Sequence, residues 1–149
     1  LAIKARHPGC VVTASDLSEY AVRCMAQNAT ALQLDVECAR TDLFEGLSQF
    51  ELITANPPYI AWDDLEVDAN VVACEPAMAL FSDHDGLSLI QRILKIAPNH
   101  LAKGGALCLE HGYSQAHDVR KLAIDLGWQS VQTLQDLAGR DRVTRMHKP

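Results

Sequence analysis

The chain has 149 residues, 48% hydrophobic and 21% charged, with a formal net charge of -6. That is about one domain's worth of chain, enough to bury a core without staples. No run of Lys or Arg forms a basic stripe, so direct nucleic-acid binding is not expected, and a protein or small-molecule partner is favoured.

No apolar run approaches transmembrane length, and the N-terminus carries no signal-peptide pattern. The expectation is a soluble, cytoplasmic monomer with no membrane partner. The five cysteines, Cys10, Cys24, Cys38, Cys74 and Cys108, are odd in number and contain no C-x-x-C pair. They predict neither a disulfide framework nor a zinc site, and read as small, partly buried hydrophobes in a reducing compartment.

In chain order, residues 1–6 look like the last turns of a helix, and the chain starts at Leu1, so it reads as part of a longer protein. Residues 11–15 are a β-branched run ending at Asp16, which predicts a strand. Ser18 is placed to cap a helix whose apolar positions are Val22, Met25, Ala29 and Leu32. A second strand is expected over residues 36–39, followed by a loop containing Asp42. A third, over residues 51–55, runs directly into Asn56-Pro57-Pro58-Tyr59.

Residues 60–83 have weak periodicity and several acids, and read as a long loop with one helical turn. Asp85 is the expected cap of a helix whose stripe is Leu87, Ile90, Ile93, Leu94 and Ala97. Lys103-Gly104-Gly105 is expected to break the chain before a buried strand over 106–110. A helix over 114–126, carrying Val119, Leu122 and Leu126, should stop at Gly127. Residues 129–134 and 142–146 alternate like strands around a turn-rich 136–141. Strands alternating with helices predict an α/β fold with a largely parallel sheet, and the last two strands an antiparallel closing pair.

In an open α/β sheet, ligands sit outside the carboxyl ends of the strands. Asp16, Asp42 and Asn56 each follow a predicted strand. An acid at Asp16 can accept both hydroxyls of a ribose, and Asp42 can accept an adenine amino group. Together these suggest a nucleoside-containing cofactor. Each acid has a plainer reading as a helix cap or turn former, and for Asp16 the two readings are evenly balanced.

Asn56-Pro57-Pro58-Tyr59 is the stronger signal. Two prolines remove two backbone donors and fix two φ angles, so the segment cannot continue a ladder. The result is a stiff turn from which the Asn56 side chain and the Pro57 carbonyl can both act as acceptors. A planar NH2 group offers two hydrogens, which two fixed acceptors match. Holding both orients the nitrogen toward an electrophile and stabilises the positive charge that grows as it attacks. Tyr59 offers an aromatic face to the planar group. The plain alternative, a rigid end to a strand, explains less of the pattern.

The turn resembles the N-P-P-Y signature of class I amino-group methyltransferases. Around it stand Asp42-Leu43-Phe44, Glu75-Pro76, Ala79-Leu80, Asp85-Gly86-Leu87, Glu110 with Gly112-Tyr113, and residues 136–143, which end in Gly139-Arg140-Asp141-Arg142-Val143. In this order they resemble the HemK-type release-factor glutamine N5-methyltransferases over nearly the whole chain.

The resemblance implies a Rossmann-like class I sheet, mostly parallel with an antiparallel closing strand. It implies S-adenosylmethionine as cofactor, bound by Asp16, Leu17, Asp42, Leu43 and Asn56. The implied substrate is the glutamine of the Gly-Gly-Gln motif of peptide-chain release factors, bound by Asn56, Pro57, Pro58 and Tyr59. Catalysis would rest on Asn56, Pro57 and Tyr59, with no metal. Glu75 falls in a family motif, where it reads as a loop-ordering or substrate-positioning residue or as an exposed structural acid. His111 stands where the family usually has an apolar residue; it reads as tolerated there, with no partner at metal-ligand spacing.

The family's first strand, glycine-rich cofactor loop and N-terminal helical domain are not in this sequence. Residues 1–149 are therefore expected to be a partial catalytic domain that folds marginally and binds cofactor poorly. The missing strand would lie between the strands ending at Asp16 and Asn56, so those two should pair with each other or expose ladder edges. Two rivals remain. A nucleic-acid adenine N6-methyltransferase would present the same kind of amino group, against which the acidic balance counts. A truncated, non-catalytic binding module is the other.

Overall fold

A computed structural model describes residues 1–64 and 69–149, and the chain divides into two compact units, Leu1–Leu47 and Ser48–Pro149. The first unit runs α1 (Ala2–Arg6), β1 (Thr13–Asp16), α2 (Glu19–Ala31) and β2 (Glu37–Arg40). β1 and β2 form a two-stranded parallel sheet, in register from Thr13 opposite Glu37 to Asp16 opposite Arg40.

Ser18 caps α2, its hydroxyl accepting the Ala21 N–H at 3.4 Å, which satisfies one orphan donor of the first turn. Of the expected stripe, Ala29 is buried and Val22 and Met25 are half-buried. Leu32 lies past the helix end and is exposed. Val11 is also exposed, because pairing begins only at Thr13.

The second unit contains β3 (Phe50–Ala55), α3 (Ala69–Cys74), α4 (Ala77–Leu80), α5 (Ser88–Ile96), β4 (Leu101–Glu110), α6 (Ala116–Asp125), β5 (Gln129–Gln135) and β6 (Asp141–His147). Its sheet has the order β3-β4-β6-β5. β3 and β4 are parallel, while β6 is antiparallel to both β4 and β5, the expected closing arrangement. β1 is an edge of the first sheet and β3 an edge of the second.

The core of this unit follows the apolar stripe. Ile90, Ile93, Leu94 and Ala97 are buried from α5 onward, with Leu101, Leu107 and Leu109 of β4, Val119 and Ala123 of α6, and Met146 of β6. Each large aliphatic side chain so buried contributes about 1.5–3 kcal/mol. Trp128 is buried after α6, and its indole N–H donates to the Leu94 carbonyl at 3.0 Å, tying the start of β5 to α5.

Several expectations are corrected. Lys103-Gly104-Gly105 does not break the chain, since β4 begins at Leu101 and runs through it. The glycines make a bulge instead: β3 advances from Phe50 to Leu52 while β4 advances from Leu101 to Ala106. Gly104 takes φ +75°, and a Cβ on Gly105 would meet the Ala102 carbonyl oxygen at 2.9 Å. Residues 60–83, expected as a long loop with one helical turn, hold two short helices, α3 and α4; residues 65–68 of that stretch lie outside the described residues. Cys10 and Cys74 are exposed rather than partly buried, and all five cysteines are free thiols. No helix among the described residues is long and apolar enough to cross a membrane.

Candidate active site

In the Leu1–Leu47 unit, Asp16 ends β1 and Asp42 follows β2 by two residues, so both stand at the carboxyl edge of the parallel pair. The Thr41 N–H donates to the Asp16 carbonyl at 3.1 Å, and the Ser15 hydroxyl to the Leu43 carbonyl at 3.4 Å, which binds the two strand exits together. Asp16 is exposed, and its Oδ1 accepts the Ser18 N–H at 2.8 Å. The plainer turn-forming role is thus present, and it occupies one oxygen only. Leu17 is exposed, while Asp42 and Leu43 are half-buried, Leu43 at φ +54°. The Asp16 and Asp42 carboxylates are acceptors, the match for ligands that donate from hydroxyl or amino groups.

In the Ser48–Pro149 unit, Asn56-Pro57-Pro58-Tyr59 leaves the end of β3, as the sequence predicted. Asn56 is exposed and its carboxamide has no hydrogen-bond partner among the described residues, whereas Pro57 is buried and Pro58 and Tyr59 are half-buried. The turn is held at both ends. Before it, Ala55 pairs with Leu109 of β4. After it, Ile60 bridges Phe81, with the Ile60 N–H donating to Leu80 O at 3.0 Å and the Ser82 N–H to Ile60 O at 2.9 Å.

Tyr59 lines a cleft of about 600 Å³ with Asp85, Leu87, Gly112, Gln115, Arg140 and Arg142 among its walls. The Tyr59 hydroxyl donates to Glu110 Oε1 and accepts from Arg142 Nη1, both long contacts of 3.4 Å. Burial raises the phenol above its ordinary 10.0, with Glu110 adding to the rise and Arg142 opposing it, so it stays a neutral donor. Arg142 Nε also faces Asp136 Oδ2 at 3.6 Å, and Arg142 Nη1 donates to His111 O at 3.3 Å. Asp136 knots the turn between β5 and β6, its Oδ1 accepting the Ala138 and Arg140 N–H groups at 2.9 and 3.0 Å. The Arg140 N–H first, with Ala138 and Arg142 after it, holds the Asp136 carboxyl below its ordinary value. The Arg140 guanidinium lies over the Tyr113 ring, 5.6 Å from its centroid.

Asp85 is not the cap that the sequence suggested. His84, Asp85 and Gly86 are three successive residues at φ +55°, +54° and +78°. The first donors of α5 go instead to the Asp83 and His84 carbonyls and to Ser82 Oγ, from Ser88, Leu87 and Leu89 respectively. The left-handed turn brings the Asp85 carbonyl and the Tyr59 carbonyl to the same group, Gln115 Nε2, at 2.8 and 2.9 Å. Gln115 is not marked in the sequence, because these partners lie 30 and 56 residues away; its local partner is Gly112, three residues earlier, whose N–H donates to Gln115 Oε1 at 2.9 Å. Glu75, in the bend between α3 and α4, is exposed.

His111 is fully buried. Its Nδ1–H donates to the Gly112 carbonyl at 2.9 Å, so Nε2 accepts from the Thr144 hydroxyl at 2.9 Å. Thr144 accepts from Thr133 at 3.0 Å, and Thr133 from Arg120 Nη1 at 2.9 Å, so both hydroxyls point toward His111. No group of three or more His, Cys, Asp or Glu among the described residues could hold a metal ion.

Burial lowers the His111 pKa below its ordinary 6.5. The unfolded chain, with the ordinary value, binds more protons as pH falls through 6.5, so the stability present above that pH declines below it. The urea midpoint is expected to fall between pH 7.5 and 5.5, less steeply in His111→Gln; parallel slopes in the two proteins would remove His111 from the account.

A family model described as "Methyltransferase small domain" matches residues 1–77. Among curated proteins, the chain is 39% identical over 140 residues to a release factor glutamine methyltransferase of Bordetella pertussis, covering 92% of this chain and 52% of that protein. A protein of the same name from Xylella fastidiosa strain Temecula1 is 42% identical over 147 residues, covering 97% and 54%. The chain spans about half the length of the curated relatives it matches. Among solved structures, a methyltransferase from Pyrococcus furiosus aligns with TM-score 0.72 at 18% identity, covering 99% of this chain and 67% of that one. A Thermus thermophilus 16S rRNA methyltransferase in complex with AdoMet and guanosine aligns with TM-score 0.62 at 19% identity, covering 95% and 32%. These two show the fold, the class I methyltransferase α/β arrangement. With its family model matching more than half of its residues, the chain belongs to the methyltransferase small domain family.

Proposed function

We propose that this chain is the catalytic portion of an S-adenosylmethionine-dependent methyltransferase that modifies the side-chain amide nitrogen of the glutamine in the Gly-Gly-Gln motif of peptide-chain release factors. The observation that carries the reading is Asn56-Pro57-Pro58-Tyr59. It is a proline-stiffened turn anchored on both sides, and it presents an exposed carboxamide free of other described partners. Relatives at about 40% identity carry the name release factor glutamine methyltransferase, which supports the coarser reading of a release factor as the methyl acceptor.

Asn56 Oδ1 and the Pro57 carbonyl oxygen accept the two hydrogens of the glutamine NH2 and fix its plane. Those acceptors also stabilise the positive charge that builds on nitrogen as it attacks. Tyr59 packs its ring beside the amide and stays protonated. The carboxylates of Asp16 and Asp42, beside Leu17 and Leu43, fit the hydroxyl and amino groups of S-adenosylmethionine. That cofactor supplies the electrophilic methyl group. No strong base is required of the chain, because the amide proton leaves after transfer, to solvent.

Labelled methyl from the cofactor, offered with the full-length protein, is expected to enter release factor. It should fail to enter a release factor whose Gly-Gly-Gln glutamine is replaced by alanine. Label found in unmethylated DNA and absent from release factor would overturn the reading in favour of an adenine N6-methyltransferase.

A further inference from the structure

We infer that Gln115 is a positioning residue for this site. Its side-chain amide sets the exit of the Asn56–Tyr59 turn and locks it to two other walls of the cleft. This rests on reading residues 56–59 as the turn that holds the substrate amide.

The turn cannot knit itself. Pro57 and Pro58 carry no N–H, so two of the donors that would ordinarily close a turn are missing. Its carbonyls must be held from elsewhere. Gln115 Nε2 donates to Tyr59 O, the last carbonyl of the turn, at 2.9 Å, and its second hydrogen goes to Asp85 O at 2.8 Å. Oε1 accepts from the Gly112 N–H at 2.9 Å. Three segments far apart in sequence thus meet at one carboxamide.

The orientation of that carboxamide is fixed by its partners. Two carbonyl oxygens face the nitrogen and one N–H faces the oxygen, so a flipped amide would set oxygen against oxygen twice. Two glycines make the convergence possible. A Cβ on Gly86 would overlap the Tyr59 carbonyl and come within 2.7 Å of Gln115 Nε2, and one on Gly112 would lie 3.0 Å from Gln115 Oε1. Gly112, Gln115, Asp85 and Tyr59 all line the same cleft. Tyr59 is therefore held at its backbone by Gln115 and at its hydroxyl by Glu110 and Arg142.

The bond to Gly112 alone is a local cap of the short 3-10 turn over Tyr113–Gln115, and has no bearing on chemistry. The two donations by Nε2 are what a positioning role requires, and Gln115→Glu separates them. A carboxylate at this position keeps an acceptor for the Gly112 N–H, but loses both donations and turns a negative charge toward two carbonyl oxygens.

In the full-length protein, Gln115→Glu is expected to lower kcat/KM for release factor by about tenfold or more, with the Kd for S-adenosylmethionine within about twofold of the parent. Amide exchange should quicken at residues 59–61 and 85–87, while β4 and β6 keep their protection. Gln115→Ala should match it in exchange at those residues and also loosen Gly112. Unchanged transfer and exchange in Gln115→Glu would overturn the inference. So would loosening that spreads through β4 and β6, which would mark a structural role only. Should the parent itself transfer nothing to release factor, the functional reading fails. The exchange pattern still decides whether Gln115 orders the turn.

Discussion

Asn56→Ala is expected to lower methyl transfer to release factor by about a hundredfold or more at saturating cofactor, with unfolding changed by no more than ~0.5 kcal/mol. Both halves follow from the same observation. The Asn56 side chain is exposed and unpartnered among the described residues, so deleting it breaks no contact of the fold. What it removes is one of the two acceptors proposed for the substrate amide. The Pro57 carbonyl alone can hold one hydrogen of a planar NH2 group, leaving the group free to swing out of line. Developing charge on nitrogen would then lose one of its two proposed stabilising oxygens at the moment of attack.

Asn56→Asp, which keeps an acceptor oxygen, should retain more activity than Asn56→Ala. Single-turnover transfer of labelled methyl, run beside urea unfolding of the same preparations, measures the two halves separately. An alanine variant within threefold of the parent would strip Asn56 of its proposed role. One that unfolds would show that the side chain serves the fold instead.

Much of the framework was legible because it is written locally. The α5 stripe needs only the spacing of Leu87, Ile90, Ile93, Leu94 and Ala97; the last four are buried, and Leu87, just before the helix, is half-buried. Asn56-Pro57-Pro58-Tyr59 announces itself because two prolines cannot sit inside a ladder. The turn after Asp136 was visible for a similar reason: its acid accepts N–H groups two and four residues on.

What escaped was set by partners outside any short window. Gly104 and Gly105 look like a break, and only the pairing of β4 with β3 turns them into a bulge. Asp85 looks like a cap, and its place in a left-handed turn depends on carbonyls reaching Gln115. Arg142 meets Tyr59 across 83 residues because β6 inserts beside β4 rather than following it in order. His111, one residue past the end of β4, is a buried polar residue. Its ring is satisfied by the neighbouring Gly112 carbonyl and by Thr144, on that same inserted strand.

Gly86→Ala should combine loss of stability with loss of activity, since the position is constrained in two independent ways. Its φ of +78° costs a side chain about 1–2 kcal/mol. In addition, the new Cβ would lie 2.6 Å from the Tyr59 carbonyl carbon and overlap its oxygen. Both atoms are backbone, so relief requires the turn itself to shift, at about 1–3 kcal/mol more.

Together these give an expected destabilisation of about 2–5 kcal/mol, with Tyr59 displaced from the bond to Gln115. Gly139→Ala is the comparison that divides the two causes. Gly139 has nearly the same φ, +77°, and nothing lies within 4 Å of its added Cβ, so it should lose only the conformational part. Chemical unfolding of both variants in the full-length protein gives the difference directly. Equal losses at the two positions would mean that the Tyr59 carbonyl yields freely. A turn that yields freely could not hold an amide in line for attack.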